Sequence, residues 1–219
     1  MRYYPIQLDL QNRNCLVVGG GGVGTRKVIT LLKCGAKVTV VSPVISERLQ
    51  NLAKSSALML KPRPYRTADL EGMFLVIGAT DDEPLNRQIS NDAERRNTLC
   101  NIADRPEVCS FILPAIVQRD DLVITISTSG RSPALAKKLR KTLESQFGEE
   151  YGDFLQLMGA IRNKLLSQTH EPEAHKPLFE QLINSDLIAL IQEDKIKDIN
   201  ALLFKILGEG YRFEELMHP

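Results

Sequence analysis

The chain has 219 residues, of which 43% are hydrophobic and 25% charged, so it can bury a substantial core as one large domain or as a main domain with an appendage. Its formal net charge of +1 gives no general reason to expect nucleic acid or an anionic membrane as a partner. No apolar run approaches the roughly 20 residues that a membrane-spanning helix needs, and the N-terminus lacks the apolar core of a signal peptide. We therefore expect a cytoplasmic protein.

The cysteines and histidines show no pattern that is typical of a disulfide framework or a metal site. They include no C-x-x-C pair and no two histidines at i, i+4 spacing. They are Cys15, Cys34, Cys100, Cys109, His170, His175 and His218. We predict reduced, structural thiols and no metal centre.

The first informative pattern along the chain is a glycine-rich stretch. An apolar run over residues 15–18 leads into glycine, and helical periodicity follows over residues 25–33, which predicts a strand, a tight turn and a helix. Gly19, Gly21 and Gly24 satisfy the G-x-G-x-x-G spacing of a dinucleotide-binding turn, although glycine clusters also form ordinary turns. In the binding turn the first glycine permits the sharp bend, the second lets a pyrophosphate approach bare backbone, and the third lets helix and strand pack closely.

The second predicted strand, residues 37–41, follows at the distance expected of a β-α-β unit, which favours the dinucleotide interpretation. The end of this strand leaves the choice between NAD and NADP open. An Asp or Glu usually stands there to bind the ribose hydroxyls of NAD, but here the strand ends in Ser42-Pro43. No arginine follows immediately to favour the phosphate of NADP, and the nearest one is Arg48.

The following elements predict the rest of a parallel sheet. A helix capped by Ser46 and a strand over residues 57–61 come first. Residues 74–79 are a near-continuous apolar run, as in a parallel strand that is buried on both faces. A helix over residues 84–96, begun by a proline, and a strand over residues 99–103 complete the series.

Polar residues follow the fourth and fifth predicted strands. Thr80, Asp81 and Asp82 follow the fourth, and Asp104 follows the fifth. In open parallel sheets, ligands bind beyond the carboxyl ends of the strands, near the point where strand order reverses. We therefore expect the glycine turn, Thr80, Asp81 and Asp104 to converge on one crevice. A structural role is also open, since Asp82 can cap the next helix and Asp104 can cap a loop.

The pattern changes after residue 109. Residues 111–116 and 122–127 predict a hairpin, and the helix that follows has Ser132 as its expected N-cap and Pro133 as its expected first residue. This segment has two interpretations. It is either a well-capped helix with a solvated basic face or an anion site built from hydroxyls, backbone N–H groups and Arg131.

The last third of the chain predicts helices only, over residues 151–166, 177–192 and 196–207. The sequence as a whole predicts an α/β protein with a Rossmann-like parallel sheet domain over residues 1–109, a small α+β segment over residues 110–147 and a helical C-terminal domain over residues 148–219.

Six motifs in order along the chain carry a family resemblance. They are Tyr4-Pro5-Ile6, Leu16-Val17-Val18-Gly19-Gly20-Gly21 with Arg26-Lys27, Ala79-Thr80-Asp81-Asp82, Cys100-Asn101-Ile102-Ala103-Asp104, Ser110-Phe111-Ile112-Leu113-Pro114-Ala115 and Ser127-Thr128-Ser129-Gly130-Arg131-Ser132-Pro133. Together they resemble the precorrin-2 dehydrogenase family, which includes the N-terminal part of siroheme synthases. The resemblance covers residues 1 to about 145, whereas the helical tail is only loosely similar.

The resemblance implies NAD-dependent oxidation of precorrin-2 to sirohydrochlorin, a step toward sirohaem in which one hydrogen leaves as hydride and another as a proton. In this reaction the protein aligns the substrate carbon with the nicotinamide and supplies a base. The residue that matches the catalytic aspartate of the family is Asp104. The cofactor contacts of the family carry over onto Gly21, Gly22, Val23, Ser42, Thr80 and Asp81, in addition to Gly19 and Gly24 of the motif.

The same resemblance implies a substrate with eight carboxylates, which needs cations and backbone donors. The candidate substrate-binding residues are Arg105, Thr128, Arg131 and Lys137. Family members are homodimers in which the region after the nucleotide domain forms much of the interface. Residues 110–147 are therefore the predicted dimerisation segment, and each active site is expected to draw on both chains.

Two alternatives remain open at this point. Some relatives also insert ferrous iron into sirohydrochlorin, and Asp104 could share the removal of pyrrole protons that this reaction needs. The other alternative is a dimeric dinucleotide-sensing regulatory module, which would need the glycine turn but neither a base at Asp104 nor an anion-recognition loop.

Overall fold

A computed structural model describes residues 2–168 and 172–218, so His170 of the sequence analysis lies outside the described residues. The chain divides into two compact units, Met1–Leu113 and Pro114–Pro219. The finer division into three parts stays a prediction. None of the helices among the described residues is long and apolar enough to cross a bilayer.

The first unit is a five-stranded parallel sheet with helices, which confirms the predicted Rossmann-like fold. Its strands are β1 (Asn14–Gly20), β2 (Lys37–Ile45), β3 (Leu58–Lys61), β4 (Leu75–Gly78) and β5 (Leu99–Ile102). Its helices are α1 (Gly22–Lys33), α2 (Glu47–Ala53) and α3 (Glu83–Arg95). The spatial order β3-β2-β1-β4-β5 reverses direction between β1 and β4. That pair of strands therefore marks the switch point at which open parallel sheets bind ligands.

The central strand β1 explains why the apolar run became a buried parallel strand. Cys15 and Val17 face one hydrophobic cluster, which includes Val28 of α1. Leu16 and Val18 face a second cluster on the other side, which includes Ile89 of α3. Because successive side chains of a strand point to opposite faces, a strand covered on both sides needs apolar residues at every position.

The second unit begins with the antiparallel hairpin β6 (Ala115–Arg119) and β7 (Leu122–Ile126), as predicted. The first strand of the hairpin starts later than expected, because residues 111–114 form no strand. Pro114 has no N–H group to give to a ladder. The remaining elements are the helices α4 (Pro133–Gln146), α5 (Glu150–Gln168), α6 (Pro172–Ile183), α7 (Leu187–Gln192), α8 (Ile196–Leu207) and α9 (Phe213–Met217).

The helical region differs from prediction at two places. The helix predicted over residues 177–192 is two helices, because the Ser185 hydroxyl donates to the carbonyl of Leu182 and accepts from the N–H of Leu187, which ends α6 and begins α7. The short helix α9 was not predicted. Its Leu216 nevertheless joins the buried cluster formed by α5, α6, α7 and α8, so it completes the core of this unit.

Candidate functional site

The turn between β1 and α1 is held by contacts between backbone atoms. Gly19 has a φ of +118°, and a Cβ atom placed there would lie 2.2 Å from the carbonyl oxygen of Ala79. A Cβ atom on Gly24 would lie 2.1 Å from the carbonyl oxygen of Gly19. Both distances are far below van der Waals contact, so these two positions accept only glycine. They perform the tight bend and the close helix packing that the motif assigns to them.

Two of the three glycines between them face open space, whereas a Cβ atom on Gly20 would lie 2.2 Å from the carbonyl oxygen of Val44. A Cβ atom on Gly21 or Gly22 would meet nothing within 4 Å. The first turn of α1 begins here and contains no acidic residue. The N-terminus of a helix carries unpaired N–H groups and the positive end of the helix dipole, which together favour an anion. Gly21, Gly22 and Val23 thus form an accessible backbone cradle whose chemistry fits the diphosphate of a dinucleotide.

A side-chain bridge that the sequence analysis did not identify joins α1 to the residue between β2 and α2 and supports this cradle. The Thr25 hydroxyl donates to the carbonyl of Gly21 at 2.8 Å and lies 3.0 Å from the Ser46 hydroxyl. The backbone N–H of Ser46 donates to the carbonyl of Gly20 at 3.1 Å. Ser46 does precede α2 as predicted, but its hydroxyl makes no capping bond to that helix. Its hydroxyl pairs with Thr25 beside the glycine turn.

The predicted cofactor residue Ser42 is buried inside β2, three residues before the strand ends. Its hydroxyl donates to the carbonyl of Val44 at 2.7 Å, which leaves the oxygen lone pairs for any further partner. The strand continues to Ile45, four residues beyond the predicted end at Val41.

The loop after β4 carries Thr80, Asp81 and Asp82. The Asp82 carboxylate accepts from the N–H of Leu85 at 3.0 Å, so it caps α3 as predicted. Thr80 is held by Asn86, whose amide nitrogen donates to the Thr80 carbonyl at 2.9 Å and whose amide oxygen accepts from the Thr80 hydroxyl at 2.9 Å. Asp81 is exposed. The sequence analysis did not identify Asn86, because nothing in the local sequence pattern indicates that it pairs with Thr80.

Asp104 lies just beyond β5, on the same edge of the sheet as the two other loops. Its side chain is exposed, and its backbone is left-handed with a φ of +61°. Aspartate is among the few residues other than glycine that adopt this conformation readily. The preceding residue, Ala103, donates its N–H to the carbonyl of Gly78 at 2.8 Å, which joins the loop to the end of β4.

Lys27 of α1 is a second residue whose role the sequence analysis did not assign. Burial lowers the pKa of its half-buried ammonium group, the charge of Arg26 lowers it further, and the Asp104 carboxylate acts in the opposite direction. The ammonium group is therefore within electrostatic reach of Asp104. Lys27 belongs to one of the motifs that carry the family resemblance, but only the fold brings it toward the loop after β5.

The candidate substrate residues are divided between the two units. Arg105 belongs to the first unit, where it forms ion pairs with Glu83 at 3.1 Å and Glu107 at 3.7 Å. In the second unit, Thr128 accepts from the backbone N–H of Ser132 at 3.2 Å. The remaining two, Arg131 and Lys137, are exposed at the start of α4. Over residues 2–168 and 172–218, neither of their side chains forms an ion pair.

All four cysteines are free. Burial raises the pKa of the Cys15 thiol to about 11 and that of the Cys100 thiol to about 12. In the described part of the chain, no three His, Cys, Asp or Glu side chains come together in a way that could hold a metal ion.

Two family models match the chain. The family model described as putative NAD(P)-binding matches residues 6–115, and the model described as sirohaem biosynthesis protein central matches residues 119–146. The chain is 37% identical over 210 residues to siroheme synthase of Thioalkalivibrio sulfidiphilus, covering 96% of this chain and 43% of that protein. It is 38% identical over 187 residues to siroheme synthase of Pseudomonas fluorescens, covering 85% of this chain and 40% of that protein. The chain thus spans less than half the length of these relatives.

A solved structure shares the fold of most of the chain. The protein described as SirC, precorrin-2 dehydrogenase, is 28% identical to the chain and superposes with a TM-score of 0.76. The match covers 91% of this chain and 100% of that one.

Proposed function

The chain belongs to the precorrin-2 dehydrogenase family, which includes the N-terminal part of siroheme synthases, and on that premise we propose that it oxidises precorrin-2 to sirohydrochlorin. One observation carries the proposal. The glycine turn and the loop with Asp104 both lie at the carboxyl edge of the sheet, beside the switch point between β1 and β4. An anion cradle and a carboxylate base thus share one edge.

NAD, when bound, accepts the hydride that leaves the macrocycle. The backbone N–H groups at the start of α1 bind the diphosphate, and the open space at Gly21 and Gly22 lets it reach them. Thr80 and Asp81 line the same edge after β4. Ser42, which lies inside β2, supplies a further contact to the cofactor. The end of that strand itself carries no acidic residue to bind the ribose, and Glu47 begins α2 two residues later. The choice of NAD rather than NADP therefore comes from the family premise.

Asp104 removes the proton. Oxidation takes two hydrogens from the substrate, and the one that does not leave as hydride leaves as a proton to the Asp104 carboxylate. An exposed carboxylate at the end of a parallel strand can approach a bound substrate in this way. The ammonium group of Lys27 lies within electrostatic reach of this carboxylate.

The carboxylates of the substrate are bound by cations and hydroxyls that we assign to Arg105, Thr128, Arg131 and Lys137. Arg131 and Lys137 are supported by their exposure and their position at the N-terminal end of α4. Arg105 would exchange its two exposed ion pairs for a substrate carboxylate, which costs little because such pairs contribute only about 0–1 kcal/mol.

We assign residues 110–147 to a homodimer interface in a cytoplasmic enzyme. Apolar side chains on the outside of this segment support the assignment, since Ile116 of β6 and Leu135 and Leu139 of α4 are each at least 40% exposed. Large exposed apolar groups that lie near one another are typical of protein interfaces. Sedimentation of the purified chain tests this part of the proposal.

The test of the reaction uses Asp104→Asn, because asparagine also tolerates a left-handed backbone but cannot act as a base. Absorbance of anaerobic precorrin-2 mixed with the protein and NAD reports formation of sirohydrochlorin. We expect a loss of turnover of at least about 100-fold with unchanged NAD affinity. The matched control is Asp194→Asn, another exposed aspartate with a positive φ, which lies between α7 and α8.

Two results would contradict the proposal. Wild-type protein that binds NAD but leaves precorrin-2 unchanged is not a dehydrogenase, and a sensing module becomes the better description. Turnover by Asp104→Asn at the wild-type rate removes the base from the mechanism. Ferrous iron added after the oxidation tests the second activity, since chelation by the protein makes sirohaem form faster than in a protein-free control.

A further inference from the structure

The loop that carries Asp104 is attached to β5 by two side chains that have no part in the proposed chemistry. β5 is an edge strand, with β4 on one side only. Its N–H groups on the β4 side are paired, as when Ala103 donates to Gly78. The backbone N–H groups of Cys100 and Ile102 point away from β4, because the direction of these groups alternates along a strand. Buried polar groups of this kind need partners.

Ser110 supplies the partners at Cys100. Its hydroxyl accepts from the N–H of Cys100 at 2.8 Å and lies 3.2 Å from the carbonyl oxygen of the same residue. Its own N–H donates to that carbonyl at 2.9 Å. A single serine therefore pairs with the edge of β5 much as a further strand would.

Cys109 supplies the partner at Ile102 and also reaches the far side of the loop. Its sulfur accepts from the N–H of Ile102 at 3.1 Å and donates to the carbonyl of Arg105 at 3.0 Å. Burial raises the pKa of this thiol, so it keeps the proton that the second bond requires. The thiol thus connects the last residue of the strand to the residue that follows Asp104.

Asp104 lies at the tip of this closed loop. Its left-handed backbone, with a φ of +61°, turns the chain back toward Cys109. The carboxylate is exposed and has no hydrogen bond of its own among the described residues. Its position is therefore set by the loop, and the loop is closed by the thiol and the hydroxyl.

We propose that Cys109 and Ser110 are positioning residues that hold the Asp104 carboxylate where it can take the proton from the substrate. The inference rests on the proposed function, because it assumes that Asp104 is the base. Proton removal depends steeply on geometry, and a displacement of about 1 Å can cost about 100-fold in rate. The nucleotide cradle lies on another loop and does not depend on these bonds.

The experiment compares Cys109→Ala, Cys109→Ser and Ser110→Ala with wild type in the anaerobic precorrin-2 assay. We expect kcat to fall by about 10-fold to 100-fold in the two alanine variants, with an unchanged KM for NAD. Cys109→Ser should recover much of the lost rate, because a hydroxyl can also accept from Ile102 and donate to Arg105. Cys34→Ala and Ser56→Ala, both exposed and in the same unit, are the matched controls.

Asp104→Asn, assayed beside them, separates this inference from the proposed function. If it loses turnover while both alanine variants keep the wild-type kcat, the positioning role is overturned and the base stands. If Asp104→Asn turns over like wild type, Asp104 is not the base, and the positioning role is overturned as well. Should Cys109→Ala no longer bind NAD, Ser110→Ala decides alone: a lower kcat at unchanged KM for NAD supports the role, and a wild-type kcat overturns it.

Discussion

The turn after β1 and the loop after β5 lie at the same edge of one sheet but are held in different ways. The first is packed backbone against backbone, with no room for a Cβ atom at Gly19 or Gly24. The second is closed by the side chains of Cys109 and Ser110. A turn held by backbone keeps its shape whatever the surrounding side chains are, whereas a loop held by side chains depends on each of them.

The largest effect should come from adding one carbon to the backbone-packed turn. A Cβ atom at Gly24 would lie 2.1 Å from a carbonyl oxygen, so Gly24→Ala must move α1 away from β1. We expect the free energy of unfolding of this unit to fall by about 3 kcal/mol and NAD binding to be lost. Denaturant unfolding followed by circular dichroism and calorimetric NAD titration measure the two effects.

Gly22→Ala is the matched control for the fold, because a Cβ atom there meets nothing within 4 Å. It should leave stability close to wild type while hindering the diphosphate. Equal losses of stability in Gly22→Ala and Gly24→Ala would contradict the distinction between a packed glycine and an open one.

A smaller effect is expected in the loop after β4, where Asn86 makes two hydrogen bonds to Thr80 at 2.9 Å. Asn86→Ala leaves the carbonyl and hydroxyl of Thr80 without these partners, which costs about 1–2 kcal/mol. Since about 1.4 kcal/mol is a factor of ten in affinity, we expect NAD to bind about 5-fold to 30-fold more weakly. Asn51→Ala on the exposed face of α2 is the control. Unchanged NAD affinity in Asn86→Ala would show that this loop, like the turn after β1, does not depend on a side chain for its shape.

The smallest effect is expected at the bridge between Ser46 and Thr25. Ser46→Ala removes one hydroxyl contact of 3.0 Å from a turn that backbone packing already holds. We expect NAD affinity to fall by less than about 5-fold, because one neutral hydrogen bond contributes about 1 kcal/mol. A double-mutant cycle with Thr25→Val measures the coupling of the two residues. A change as large as that of Gly24→Ala would show that side chains, rather than backbone, determine the shape of this turn.

This contrast explains which parts of the site could be predicted from the sequence. The glycine turn was predicted because positions that have no room for a Cβ atom require glycine, and the spacing of these glycines is visible in the sequence. The cap formed by Asp82 was predicted because it involves only residues close to one another in the sequence. Asn86 and Lys27 were not assigned roles, and Cys109 was predicted only to be a reduced, structural thiol. Their partners lie on other elements or across a loop, and only the tertiary fold brings them together.

The fold followed the same rule. Parallel strands buried on both faces produce continuous apolar runs, so the sheet was predicted with its order of elements. The break between α6 and α7 was missed because apolar periodicity continues through it. Only the bonds made by the Ser185 hydroxyl show where one helix ends and the next begins.

The capped edge of β5 also bears on what happens when many copies of the chain are crowded together. An open strand edge can recruit a strand from another molecule and so seed aggregation. Here the outward groups of Cys100 and Ile102 are already engaged by Ser110 and Cys109 of the same chain. The side chains that close this loop therefore also keep the sheet from growing beyond its fifth strand.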